Sequence, residues 1–205
     1  MQVYDYRTDN RNVLVTPEIR ARLYHMKPGQ VDGRHSHDLG VEVFLILEGK
    51  AEFTIEGHTE VLGPGQMCIA MADEVHQVRN LLPHQPTVMY LSVTPHILPT
   101  HTGRTESDDR LPHRFQSYEL ATGEDRSVAT LLDTHLQRTA DLAEAARSFE
   151  EIHTQMVAKW HQALEEGDAQ AAVAARNAMS GAVEEMHKRL YAASDTWNAL
   201  AGLAE

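Results

Sequence analysis

GQVDGRHSHDLGVEVFLILEG, residues 29–49, is the stretch whose reading decides the fold. His35 and His37 stand two apart, so on an extended strand both project from one face. The four residues that follow include Gly40 and allow a turn. Glu42 then opens the next strand, where its carboxylate can point back at the same spot. From Val41 to Leu47 the run is apolar on both faces apart from Glu42, as in a strand covered on both sides. Phe44 and Ile46 share the parity of Glu42 and should line a cavity beside it, while Val43, Leu45 and Leu47 face an outer layer. A carboxylate in such a run costs several kcal/mol unless it is paired or ligated.

Working outward, turn residues punctuate the chain up to about residue 95: Pro28-Gly29, Gly33, Gly49, Gly57 and Pro64-Gly65. That rhythm predicts short strands in a sandwich or barrel. Ala51, Phe53 and Ile55 alternate with Glu52, Thr54 and Glu56, the period-2 pattern of a half-buried strand, and Gly57-His58 reads as its hairpin turn. A second cluster follows, with Gly63-Pro64-Gly65, an apolar strand from Met67 to Met71, then His76, three residues and Asn80. Met67, Ile69 and Met71 share one face and read as barrel wall. An antiparallel barrel brings His76 back beside the first hairpin.

These residues resemble the two signature motifs of the cupin superfamily. The first motif, Gly29 to Gly49, matches at every fixed position. The second matches at Gly65, His76 and Asn80 but has Met71 and Asp73 where the family pattern has proline and a second glycine. The resemblance covers about residues 18–95. It implies a jelly-roll, double-stranded β-helix barrel that holds one metal ion through His35, His37, Glu42 and His76. Three imidazoles and one carboxylate suit a divalent transition metal ion (Fe, Mn, Zn, Ni or Co) better than Ca or Mg, which want more oxygens. An octahedral ion would keep two positions for substrate or dioxygen. The range of cupin activities makes a metal-dependent enzyme acting on a small organic molecule the expected function, first of all an Fe(II)-type dioxygenase with Glu42 as the catalytic proton acceptor. An isomerase, cyclase or lyase using the ion as Lewis acid, and a non-catalytic ligand-binding module, are the alternatives. Arg22, Tyr24, Phe44, Phe53 and Tyr90 are the expected substrate-binding residues, with Arg79 also on a barrel strand. Of the remaining histidines, His96 and His101 are the expected visitors to the barrel mouth.

Beyond the barrel, residues 96–125 are polar, proline-bearing and aperiodic, and read as a connecting segment running over it. Residues 126–205 then carry Leu132, Leu136, Leu142, Ala146, Phe149, His153, Met156, Trp160 and Leu164 at helical spacing. After Gly167-Asp168 a second stripe runs from Ala172 to Leu200, so the tail reads as an αα-hairpin. Unbroken, the first helix would span about 60 Å, which predicts either a break near the Asp141/Glu144 capping-box spacing or an extension onto another subunit. The fold class is thus mainly β plus α, with the barrel in residues 1–95. The apolar stripes predict homodimerisation or coverage of the barrel mouth.

The 205 residues carry 18 basic and 30 acidic side chains, a formal charge of -12, which disfavours nucleic acid and anionic membrane surfaces as partners. The 13 histidines are what make metal chemistry worth seeking. No apolar run of membrane-spanning length and no signal-like N-terminus is read in the sequence, so a cytoplasmic location is expected. The single Cys68 fits a reducing compartment and reads as a small buried hydrophobe.

Overall fold

The computed structural model describes residues 1–116 and 127–203. Among the described residues ten strands precede two helices: β1 (Arg11–Val15), β2 (Arg20–Met26), β3 (His35–Ser36), β4 (Val41–Glu48), β5 (Ala51–Ile55), β6 (His58–Leu62), β7 (Met67–Ala70), β8 (His76–Asn80), β9 (Thr87–Thr94), β10 (Thr102–Gly103), α1 (Val128–Glu166) and α2 (Ala169–Ala201). The chain divides into two compact units, Met1–Glu124 with Ala201–Glu205, and Asp125–Leu200. None of the described helices is long and apolar enough to cross a membrane.

The first unit is a jelly roll of two five-stranded antiparallel sheets, ordered β1-β2-β9-β4-β7 and β10-β3-β8-β5-β6. Period-2 alternation decides which side chains meet between them. Along β4, Glu42, Phe44 and Ile46 are buried while Val43, Leu45 and Leu47 are only partly covered, as the sequence pattern requires. Across the first sheet, Arg20, Val93 and Glu42 form one row, Arg22, Leu91 and Phe44 the next, and Tyr24, Met89 and Ile46 a third, all on the inner face. Met26, Phe44, Ile46, Phe53, Val78, Met89 and Leu91 make a single core cluster. Each large side chain there contributes about 1.5–3 kcal/mol by leaving water.

The turns use particular chemistry. Gly49 sits at φ 87°, and a Cβ there would stand 2.8 Å from Thr87 Oγ1 and 2.9 Å from Pro86 O, so only glycine fits. Asp73, which occupies a glycine position of the second motif, adopts φ 66°, a left-handed conformation that aspartate tolerates. Its N–H donates to His37 O at 2.8 Å and its carboxylate accepts from Arg110, so the turn before His76 forms without the glycine. Asn80 lies away from the cavity: its amide donates to Met26 O, Lys27 O and Gln85 O and its oxygen accepts from Leu82 N–H and Thr87 Oγ1–H.

Two expectations are revised in this unit. Met67, Ile69 and Met71 are about half exposed, because Cys68 and Ala70 take the inner parity of the edge strand β7. The stretch 96–125, described as far as residue 116, does more than run over the barrel, since Thr102–Gly103 pair with β3 as an added strand.

In the second unit α1 runs without interruption through Asp141 for 39 residues, about 58 Å at 1.5 Å per residue. The expected break is absent because α2 provides the packing partner along that length. His135 Nδ1–H donates to Thr196 Oγ1 at 2.8 Å, Asp141 lies 3.8 Å from Arg189, and Ala145, Phe149 and Ile152 line one seam with Ala178 and Ala182. Asp141 also accepts from Gln137 Nε2, an i,i+4 bond inside the helix rather than a cap. The turn between the helices falls where the sequence marks it: Gly167 caps α1 at φ 69°, and Asp168 Oδ1 accepts from the N–H groups of Gln170 and Ala171.

Candidate metal centre

His35 and His76 sit directly opposite each other on paired strands β3 and β8, while Glu42 reaches the same point from the other sheet. His37 follows β3 and is 1% exposed, as is His76, and Glu42 is 2% exposed. One donor atom from each of the four residues lies within 4.8 Å of the others. A first-row ion bound at about 2.0–2.2 Å puts opposite donors roughly 4.2 Å apart, so a contraction of a few tenths of an ångström would close the set.

The protons of the cluster decide what it can hold. Nδ1 of His35 contacts Gly33 O at 2.9 Å, Nδ1 of His37 contacts Thr100 O at 2.6 Å, and Nδ1 of His76 contacts Glu74 O at 2.9 Å. A carbonyl only accepts, so each ring carries its proton on Nδ1 and, when neutral, offers a bare Nε2. Those three Nε2 atoms all face Glu42 Oε2, at 3.9, 2.8 and 3.1 Å respectively. Burial pushes His37 down from its ordinary pKa, against the pull of Glu42. A lone pair on its Nε2 would then meet a carboxylate lone pair at hydrogen-bond distance. A cation between them removes that repulsion, and the backbone carbonyls on Nδ1 are the supports that metal-bound imidazoles commonly have.

Glu42 supplies the charge. Burial opposes its ionisation, but hydrogen bonds from His35, His37 and His76, available when their Nε2 atoms are protonated, hold its carboxyl well below the usual range. For His35, burial is outweighed by the bond and charge of Glu42, and its pKa rises. Cys68, half-buried on β7, has its thiol pushed up to about 12 by burial and offers no thiolate to the site.

A cavity of about 920 Å³ opens on the cluster, and His35, Glu42, Arg22, Tyr24 and Phe44 are among its lining residues. Phe53 is not: it packs 5.1 Å from the Phe44 ring in the core beneath. Tyr90 pairs with Leu23 and Leu45, on the parity opposite to Met89 and Leu91, so it faces outward. Arg79 is outward as well, 3.6 Å from Glu52. The sequence reading passed over Arg20 and Thr100, while His101, expected at the barrel mouth, does line the cavity. Arg20 has the parity of Arg22, which was the available signal. His101 rests with its ring 4.9 Å from that of His35 and 4.7 Å from that of His37, and its Nε2 lies 3.3 Å from Arg20 Nη2. A guanidinium only donates, so this Nε2 accepts and the ring is neutral. Burial first, and the neighbouring His37 and Arg20 after it, push the His101 pKa well below its ordinary value. His96 donates to or accepts from Thr100 Oγ1 at 2.7 Å and is lowered to about 4, mainly by burial.

Residues 22–93 match the family model described as Cupin domain. The barrel is a cupin domain, and its two motifs converge on one candidate metal site. The match agrees with the jelly-roll topology, and it ends before the strand that brings Thr100 and His101 to the cluster. No curated protein matches the chain. Among solved structures, similarity is found to a Klebsiella pneumoniae subsp. pneumoniae protein with a double-stranded β-helix domain, at 25% identity over 46% of this chain and 90% of that one, with a TM-score of 0.43. The TT1209 protein of Thermus thermophilus is 24% identical over 46% of this chain and 98% of its own, TM-score 0.43. The DMSP lyase DddQ from Ruegeria pomeroyi is 25% identical over 42% of this chain and 43% of its own, TM-score 0.38.

Proposed function

We propose that this protein is a metal-dependent enzyme acting on a small organic molecule bound in the barrel cavity. The observation that carries the reading is the set of three Nδ1-anchored imidazoles whose Nε2 atoms face one buried carboxylate oxygen. A divalent first-row ion held by His35, His37, Glu42 and His76 would supply Lewis acidity and open positions for substrate or dioxygen. Around it, Phe44 forms an apolar wall and Tyr24, fixed by Asp32 and Gln30, a rigid one. Glu42, when displaced from the ion, would accept a proton as the first of the reactions expected here, oxidation by dioxygen, requires. His101 favours the second, isomerase or lyase chemistry. A neutral imidazole beside the cluster, its tautomer set by Arg20, would donate its Nδ1 proton toward charge developing on a substrate oxygen.

Elemental analysis of protein purified without added metal tests the reading. About one transition metal ion per chain is expected in the wild type and almost none in His76→Ala; a metal-free wild type that takes up no ion on titration would overturn it. Turnover under strictly anaerobic conditions then separates the reactions, because undiminished product without dioxygen eliminates the dioxygenase.

We also infer that the helical unit pairs with the same unit of a second chain. Beside the seam, Leu136, Val157 and Leu164 recur at multiples of seven on α1, and Val183, Leu190 and Trp197 every seven on α2; all six are exposed, from 37% to 71%. Heptad recurrence on both helices of a long hairpin suits closure into a four-helix bundle. Light scattering should give a dimer for the wild type and a monomer for Leu136→Glu/Leu164→Glu, with metal content unchanged. A wild-type monomer contradicts the inference.

A further inference from the structure

In a chain of formal charge -12, the cavity beside the metal centre is lined by Arg20, Arg22, Arg34, Arg104 and Arg114. Their partners divide them. Arg34 is ion-paired with Asp108, and so brings no net charge. Arg104 donates to Ser36 Oγ at 2.7 and 3.1 Å and to Asp108 O, both uncharged acceptors. Arg22 lies 4.6 Å above the Tyr24 ring, and its Nε is buried with no hydrogen-bond partner among the described residues. Neither Arg22 nor Arg104 has a carboxylate partner among those residues. Arg20 is 3% exposed and contacts the neutral His101 ring.

Position matters as much as charge. Arg20 and Glu42 occupy one cross-strand row with Val93 between them, about 10 Å apart at two strand spacings. Arg22 is in the next row, beside Leu91 and Phe44. A desolvated guanidinium with an unused N–H is expensive in a protein interior, and a planar oxyanion is the group that fits its fork. The one acidic side chain near Tyr24, Asp32, is already engaged: it accepts from Tyr24 Oη at 3.0 Å and Gln30 Nε2 at 2.7 Å. Nothing in this wall asks for a cationic ligand.

We propose that the molecule taken into the cavity is a small organic oxyanion, a carboxylate or a phosphate, gripped by Arg22 and Arg20 with Arg104 on the opposite sheet while its remaining atoms lie toward the metal. This rests on the cavity being the substrate site, and it names the substrate class. Phe44, Met89 and Leu91 line the cavity beside the arginines and offer the rest of the ligand an apolar wall.

Calorimetric titration of the metal-loaded full chain tests it, with succinate and its uncharged analogue succinamide, and with inorganic phosphate and glucose 6-phosphate against glucose. At least one anion of the panel should bind and its neutral counterpart should not; the arm that binds tells carboxylate from phosphate. Arg22→Gln should weaken that binding at least ten-fold while the metal content stays at the wild-type value, and Arg22→Lys should restore part of it. Arg20→Gln should act in the same direction, with Arg22→Gln deciding the matter if the Arg20 variant does not fold. The proposal is overturned if no anion of the panel binds, if succinamide or glucose binds as tightly as its charged counterpart, or if Arg22→Gln leaves anion affinity within three-fold of wild type. Loss of the metal itself in the wild type would instead be a failure of the metal-centre reading, and the two results are read from separate measurements.

Discussion

The barrel and the helical hairpin treat buried polarity in opposite ways. In the barrel, Arg20, His37, Glu42, His76, Asn80, His96 and Thr100 are all sealed from solvent. In the helical unit the buried polar residues named among the described ones are Ser194 and Thr196, whose hydroxyls donate to their own helix at Leu190 O and Ala193 O. Such back-bonding costs little and specifies little. The barrel buries polar and ionisable groups that an apolar core would avoid: the Asn80 amide is tied to the carbonyls of Met26, Lys27 and Gln85, and His37 and His76 face Glu42. The difference places the candidate metal site in one unit and leaves the other with no comparable cluster among the described residues.

The sharpest way to break that comparison is at Glu42. Glu42→Gln removes the charge that offsets a bound cation, and metal affinity should fall by more than about 100-fold, read by competition with a chromophoric chelator. A conservative change on the helical unit, such as Ala182→Ser, should leave metal affinity unaltered.

Next in size is the packing beneath the site. Phe44→Ala should cost about 3–5 kcal/mol, measured by denaturant unfolding of the metal-free protein. In the hairpin, Ala175→Leu should cost about 1–3 kcal/mol, through overpacking of a small-residue seam rather than through a cavity.

A pH series sharpens the contrast further. The His96 pKa in the folded barrel is lowered to about 4, from an ordinary 6.5. Between those values the unfolded chain binds a proton that the folded one refuses, so stability should decline as pH falls from about 6.5 toward 4 and be unaffected by this group above 6.5. His101 acts in the same direction. Thermal unfolding of the metal-free protein at pH 7.5 and 5 should show the barrel transition moving down, and His96→Gln should shrink the shift. The smallest expected effect is at the start of α1, where Ser127 Oγ accepts from Thr130 N–H at 3.2 Å. Ser127→Ala should cost about 1 kcal/mol, confined to the helical transition.

Much of this was legible in the residues themselves. Parity along β4 placed Glu42 with Phe44 and Ile46, and the His35/His37 spacing put two rings on one side of a strand. His76 followed from the second motif, despite the missing glycine, because aspartate can take the left-handed turn at position 73. What stayed hidden depended on register or on backbone atoms. Tyr90 lies in a run apolar on both faces, so only its pairing with Leu45 shows that it points outward. The carbonyls of Gly33, Glu74 and Thr100 that fix the three imidazoles have no side-chain signature. Thr100 arrives from an aperiodic, proline-bearing segment, in which His101 was expected at the barrel mouth but no pattern announces that Thr102 and Gly103 will join a sheet. The break expected in α1 at Asp141 failed for a related reason, since spacing alone cannot tell a cap from an i,i+4 bond inside a helix that has a neighbour.

The central claim is that three imidazoles and one carboxylate share a single ion. X-ray absorption at the zinc edge of the zinc-loaded protein measures this directly. The expected spectrum has a first shell of nitrogen and oxygen at about 2.0–2.1 Å with outer-shell scattering from three imidazole rings, one of them lost in His76→Ala. A shell with fewer than two imidazoles, or one unchanged by that substitution, would contradict it.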